Sequence, residues 1–150
     1  MSSVQGQTAR REWMGVLARA PAADLARLWA AWGPAPGFVW LRPPETGTVM
    51  LRGRAGGTGA PFNLGEMTVT RAALRLECGA VGHAWVQGRD RAKAETAALV
   101  DALMQTDAAE ALGDRVIAPL RAAEGARRAG RAAKAAATQV EFFTMVRGEG

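Results

Sequence analysis

The chain has 150 residues, 49% of them hydrophobic and 22% charged, with a formal net charge of +5 and a single cysteine. That length suits one domain able to bury roughly 70% of its unfolded surface, and the composition excludes a disordered chain. Cys78 alone excludes an internal disulfide and fits a reducing cytosol.

The opening Met1–Gln7 is polar rather than signal-like, and no window approaches the ~20 apolar residues of a membrane span, so a cytoplasmic protein without membrane attachment is expected. The positive charge invites a nucleic-acid reading. Arginine dominates the basic residues, however, while alanine is abundant and tyrosine absent, a pattern that GC-rich coding also produces. An acidic protein partner or a phosphate-bearing ligand is equally compatible with the charge.

In chain order, Thr8 suits the cap of a first helix running to about Ala20, with Trp13, Val16 and Leu17 on one side. Pro21 opens a second helix whose Leu25, Leu28, Trp29 and Trp32 follow helical spacing, and Gly33-Pro34 ends it. A helical hairpin over residues 8–33 is predicted. Four strands then follow at Phe38–Arg42, Thr48–Arg54, Phe62–Glu77 and Val81–Gln87, with Glu45-Thr46-Gly47 as a turn and a bulge or bend at Gly65. Short connections favour an antiparallel meander over 38–87.

Asp90 caps a third helix reaching about Gln105, with Leu99, Val100, Leu103 and Met104 as its apolar stripe. A connection with a helical turn spans Thr106–Asp114, and an Ala-rich helix follows from Arg121 to Met145, weakened at Gly125 and Gly130. The class is α+β: helices on one face of a four-stranded antiparallel sheet in a single domain, with the C-terminal helices over 89–147. The chain closes with Phe142, Phe143, Met145 and Val146, an apolar patch that either the protein's own core or another chain must cover.

Few constellations carry chemistry. Gly56-Gly57-Thr58-Gly59 is either an anion-binding nest or a flexible strand connection; without a following Lys-Ser/Thr and helix it is neither a P-loop nor a dinucleotide fingerprint. At the junction Trp85–Asp90, the side chains of Gln87, Arg89 and Arg91 are placed to hold a phosphate or carboxylate, or else are solvated around a capping Asp90. His83 is the sole histidine, so neither a His/Cys metal site nor a Ser-His-Asp relay can be assembled. Arg127, Arg131 and Lys134 share a helical face that suits solvent or an acidic subunit better than RNA, since stacking aromatics are missing. No catalytic set emerges.

The motifs Glu45-Thr46-Gly47, Gly56–Gly59, Thr70–Ala73, Trp85–Asp90, Ala102–Gln105, Ile117–Leu120 and Phe142–Gly148 occur in this order in the PhnG family, which the sequence resembles from about Arg11 to Gly148. Glu12-Trp13-Met14 departs from that family's His-Trp-Met start at its first residue. PhnG is the G subunit of the bacterial carbon–phosphorus lyase system.

The resemblance implies a subunit that assembles with the H, I and J subunits in a two-fold symmetric core complex holding two copies of each. With I, H and the L subunit it is required to transfer a phosphonate onto the ribose of ATP, releasing adenine. It further implies that the iron–sulfur cluster and S-adenosylmethionine belong to J, that this chain carries no cofactor, metal or assigned catalytic residue, and that no nucleic acid is bound. Gly56, Gly57, Thr58, Gly59, Arg71, Gln87, Arg89 and Asp90 are then candidates for polar contacts near a partner's active site. Phe142, Phe143, Met145, Val146 and Arg147 are candidates for the subunit interface. The alternative is a free-standing basic module for nucleotide or nucleic acid.

Overall fold

The computed structural model describes residues 2–146, with side chains from 4 to 138. Helices α1 (Ser2–Arg19) and α2 (Ala22–Trp32) precede strands β1 (Phe38–Arg54), β2 (Pro61–Leu76) and β3 (Val81–Gln87). Helix α3 (Arg91–Leu103), the short α4 (Ala109–Leu112), a π-turn at Gly113–Ile117 and the long α5 (Ala118–Val146) complete the chain. The α+β class is as expected. The first helix begins earlier than Thr8, whose hydroxyl donates to the carbonyl of Val4 within α1 instead of capping it.

The sheet has three strands in the order β1-β2-β3, all antiparallel, rather than four. Pro43-Pro44 does not split 38–54 into two strands. Proline cannot donate to a ladder, but β1 is an edge strand, and its register slips between Trp40 and Arg42 and again between Arg42 and Glu45. The two prolines therefore sit in an irregularity and the strand continues past them. Glu45-Thr46-Gly47, expected as a turn, is consequently extended, with Glu45 opposite Arg71 and Thr46 opposite Thr70.

The bulge expected near Gly65 is present: Leu51 pairs with Gly65 and Arg52 with Asn63, which leaves Leu64 without a partner, while Gly65 takes φ +153°. Gln87 of β3 pairs with Val69 of β2, and β3 ends there. Thr48–Arg54 and Pro61–Thr68 therefore continue as a two-stranded ribbon with no third strand among the described residues. The ribbon closes through a 3₁₀ turn at Ala55–Gly57, in which Gly56 and Gly57 adopt φ of +61° and +79°.

One face of the sheet, bearing Ala72, Leu74, Leu76, Ala84 and Val86, is buried against α3. The approach is close: a Cβ on Gly82 would overlap the carbonyl oxygen of Ala98. Ala94, Ala97, Ala98 and Ala102 keep α3 slim on that side, and Asp90 caps it by accepting from the Lys93 amide at 2.9 Å. Leu17 of α1, Leu25 of α2, and Leu112, Val116, Ile117 and Leu120 of the later helices close around α3. Each such side chain contributes about 1.5–3 kcal/mol of burial. Lys93 is buried too. Its Nζ donates to the carbonyl of Ala18 at 3.0 Å near the end of α1, and burial pulls its ammonium below the usual 10.5 against the opposing charge of Asp90.

Candidate functional site

Strand alternation puts Arg71, Ala73 and Arg75 of β2 on the face away from α3, opposite Trp85, His83 and Val81 of β3. Trp85 is 49% exposed there, although a tryptophan in a strand ordinarily faces a core. The inner positions on either side of it hold Ala84 and Val86, both buried under α3. The Arg71 guanidinium stands 5.7 Å from the centre of the Trp85 ring, within cation–π range.

From β1, Glu45 completes the cluster. Its Oε2 accepts from Arg42 Nη1 at 2.9 Å and from Arg71 Nε at 3.2 Å, with Arg71 Nη2 also 3.1 Å away. Hydrogen bonds from Arg42 first, then from Arg71, hold the Glu45 carboxyl below the ordinary carboxylate range. One carboxylate is thus shared between two guanidiniums, leaving the group net positive. A shallow depression of about 260 Å³, lined by Thr46, Thr48, Val69, Arg71 and Trp85 among others, opens beside it. On the far side of Trp85 a broader groove of about 530 Å³ runs along α1 past Arg10, Arg11, Met14 and His83.

The flanking groove is held in place by Asp101, a fully buried carboxylate on α3. It accepts from Arg10 Nη2 at 2.7 Å and Nε at 3.1 Å, from Trp13 Nε1 at 2.8 Å and from the backbone amide of His83 at 2.8 Å. Arg10 also donates to the carbonyl of Val81 at 3.3 Å, and Gln105 Nε2 donates to the same oxygen at 2.7 Å. At the outer edge of β3 the Val81 carbonyl and the His83 amide are therefore met by side chains of α1 and α3 and by Gln105 just beyond α3, rather than by a fourth strand. Sequence reasoning assigned nothing to Asp101. Its one legible trace is the i, i+3 spacing of Arg10 and Trp13, which puts a charged and an indole donor on one face of α1.

The predicted site residues divide. Arg71 lies at the centre of the cluster, and Gln87 follows Trp85 by two residues on the same face, exposed. Arg89 is exposed at the junction and forms no ion pair among the described residues, while Asp90 is occupied as a helix cap. Gly56–Gly59 sits at the end of the ribbon, roughly 30 Å along β2 from Arg71 at about 3.3 Å per residue. There the Gly59 amide is already taken by the Ala55 carbonyl at 3.0 Å. Phe142, Phe143, Met145, Val146 and Arg147 lie outside the described side chains.

Chemically, the cluster can stack a planar or apolar group on Trp85 and receive an anion at Arg71. Among the described residues there is no group of three or more His, Cys, Asp or Glu side chains arranged to hold a metal ion. No described helix is long and apolar enough to cross a membrane.

Residues 8–148 match the family described as "Phosphonate metabolism protein PhnG". The chain is 50% identical over 148 residues to the "Alpha-D-ribose 1-methylphosphonate 5-triphosphate synthase subunit PhnG" of Rhizobium meliloti (strain 1021), covering 96% of this chain and 92% of that protein. The chain belongs to the PhnG family. Three of the seven motifs that carry the resemblance to PhnG meet in space. Glu45-Thr46-Gly47 and Thr70–Ala73 are neighbours across the β1–β2 ladder, and Trp85 of the Trp85–Asp90 motif stands opposite Arg71. Ala102–Gln105 and Ile117–Leu120 instead serve the core and the β3 edge.

Proposed function

We propose that this PhnG chain is a subunit of a complex that transfers a phosphonate onto the ribose of ATP with release of adenine, forming alpha-D-ribose 1-methylphosphonate 5-triphosphate in organic phosphonate catabolism. The identity to a named synthase subunit along nearly the whole chain carries this reading. The chain works with the I, H and L subunits and assembles with H, I and J in a core holding two copies of each. Its role is structural or co-catalytic. The Arg71–Trp85–Glu45 cluster, with Gln87 and Arg89 beside it, supplies a cationic, stacking surface at a partner's reaction site. The iron–sulfur cluster and S-adenosylmethionine belong to J, in keeping with the lone Cys78 here, since such clusters need several thiolates.

The test is reconstitution. Purified I, H and L subunits are given ATP and methylphosphonate, and adenine release is followed by chromatography with and without this chain. Release is expected to depend on the chain. Arg71→Ala and Arg89→Ala are each expected to lower it about tenfold, the scale of one lost charged hydrogen bond, while the chain stays in the complex. Equal release without the chain would overturn the proposal.

A further inference from the structure

The two-stranded ribbon beyond Thr48 and Thr68 contributes nothing to the core, yet it carries the densest group of exposed apolar side chains among the described residues. Met50 is 57% exposed, Leu51 41%, Phe62 45% and Leu64 63%. Met50 and Leu51 are consecutive in a strand, so they point to opposite faces, and among the described residues neither face is covered by a helix or a third strand. Leu64 lies across Gly53, where a Cβ would come within 2.5 Å of its Cδ1. The bulge thus seats this leucine on the outside of the ribbon. An isolated two-stranded hairpin is marginal in water at best, and the apolar groups on both of its faces meet no other element among the described residues.

The charge at the far end of the ribbon is positive. Arg52 and Arg54 lie near the turn, whereas the ribbon's carboxylate, Glu66, sits toward its base opposite Met50. Among the described residues neither arginine pairs with an acid; Arg54 donates to the carbonyl of Gly59. The closing turn Ala55–Ala60 has no side chain larger than Thr58. The apolar groups therefore lie along the flanks of the ribbon and not at its end, a shape to be gripped from both sides rather than a spike to dip into lipid. A second copy packed turn end to turn end would bring Arg52 and Arg54 against their own equivalents, far from Glu66 at the base, and like charges in contact are costly.

We infer that the ribbon Thr48–Thr68 is an arm that inserts into an apolar groove of another subunit of the complex, with carboxylates of that subunit facing Arg52 and Arg54. This rests on the complex membership proposed above. The partner is defined by chemistry: a groove about one ribbon wide, apolar on both walls and acidic at the end that receives the turn.

The chain is co-expressed with the H, I and J subunits, one of them tagged, and its recovery with the tag is measured. Met50→Ser with Leu64→Ser is expected to leave the thermal unfolding midpoint of the purified chain unchanged, because both side chains lie outside the core. The same pair is expected to cut recovery at least tenfold, the cost of losing anchoring contacts. Arg52→Glu with Arg54→Glu is expected to lower recovery further at low salt than at high salt. A photoreactive benzoylphenylalanine at Leu64 is expected to crosslink to one of the other subunits. Undiminished recovery of both variants overturns the arm, as does a crosslink formed solely with a second copy or with lipid. Failure of the unaltered chain to be recovered at all would instead overturn the complex membership on which the arm depends.

Discussion

At the residue scale, Asp101 is the side chain on which the arrangement of α1 and β3 turns. It is a charge taken wholly out of water, and it persists because four donors from α1 and β3 surround it. Removing one partner of a buried, hydrogen-bonded pair leaves the other desolvated and unmatched, so Asp101→Ala is expected to cost about 3–5 kcal/mol. Asp101→Asn, which keeps one acceptor oxygen, should cost less. Urea unfolding measures both, and a loss under about 1 kcal/mol for the alanine variant would show that α1 is held by packing alone. The residue was illegible in the sequence for a physical reason. An aspartate within a helix reads as solvated, and its donors lie far from it in the chain. The exposure of Trp85 was not legible either, because alternation fixes which residues share a face but not which face meets the core.

At the element scale, the helices formed near where periodicity placed them, although the first starts before Thr8 and the last at Ala118, and the strand count was wrong where proline was read without its position in the sheet. Pro43-Pro44 ends a central strand but not an edge one, and a sequence does not disclose which strand will be the edge. Beside the core contacts of Leu17 and Leu120, an ion pair joins α1 to α5: Arg19 Nε and Glu124 Oε1 are 2.5 Å apart, with Arg128 joining at 3.3 Å. The hydrogen bond from Arg19 holds the Glu124 carboxyl below its ordinary 4.5, aided by the charges of Arg128 and Arg127. A carboxyl lowered in the folded state adds stability that is fully present above its unfolded value and is lost as pH falls through its folded one. Glu124→Gln is therefore expected to be less stable than the parent at pH 7, by no more than about 1 kcal/mol for so solvent-accessible a pair. The difference should close as the pH falls below 4.5. A gap that stays constant with pH would assign the effect to packing instead.

At the scale of the whole molecule, two elements leave the core. They are the ribbon of β1 and β2, and α5, whose described side chains are exposed from Gly125 onwards. Local stability follows buried contacts, so both should open before the rest. Limited trypsin digestion of the isolated chain is expected to cut first after Arg127, Arg128, Arg131 and Lys134 and at Arg52 and Arg54, while the bond after Lys93 in the buried α3 stays protected. Early cleavage after Lys93 would contradict this order. The sequence by itself determined the α+β class, most element positions, the Asp90 cap, the Gly65 bulge and, through motif order, the family, because each is written in local spacing. Only the tertiary structure decided that Glu45, Arg71 and Trp85 meet on an open face, that Asp101 ties α1 to β3, and that Gly56–Gly59 stands apart at the end of an arm. Strand register and the close seat of α3 on Gly82 bring together residues that local pattern cannot relate.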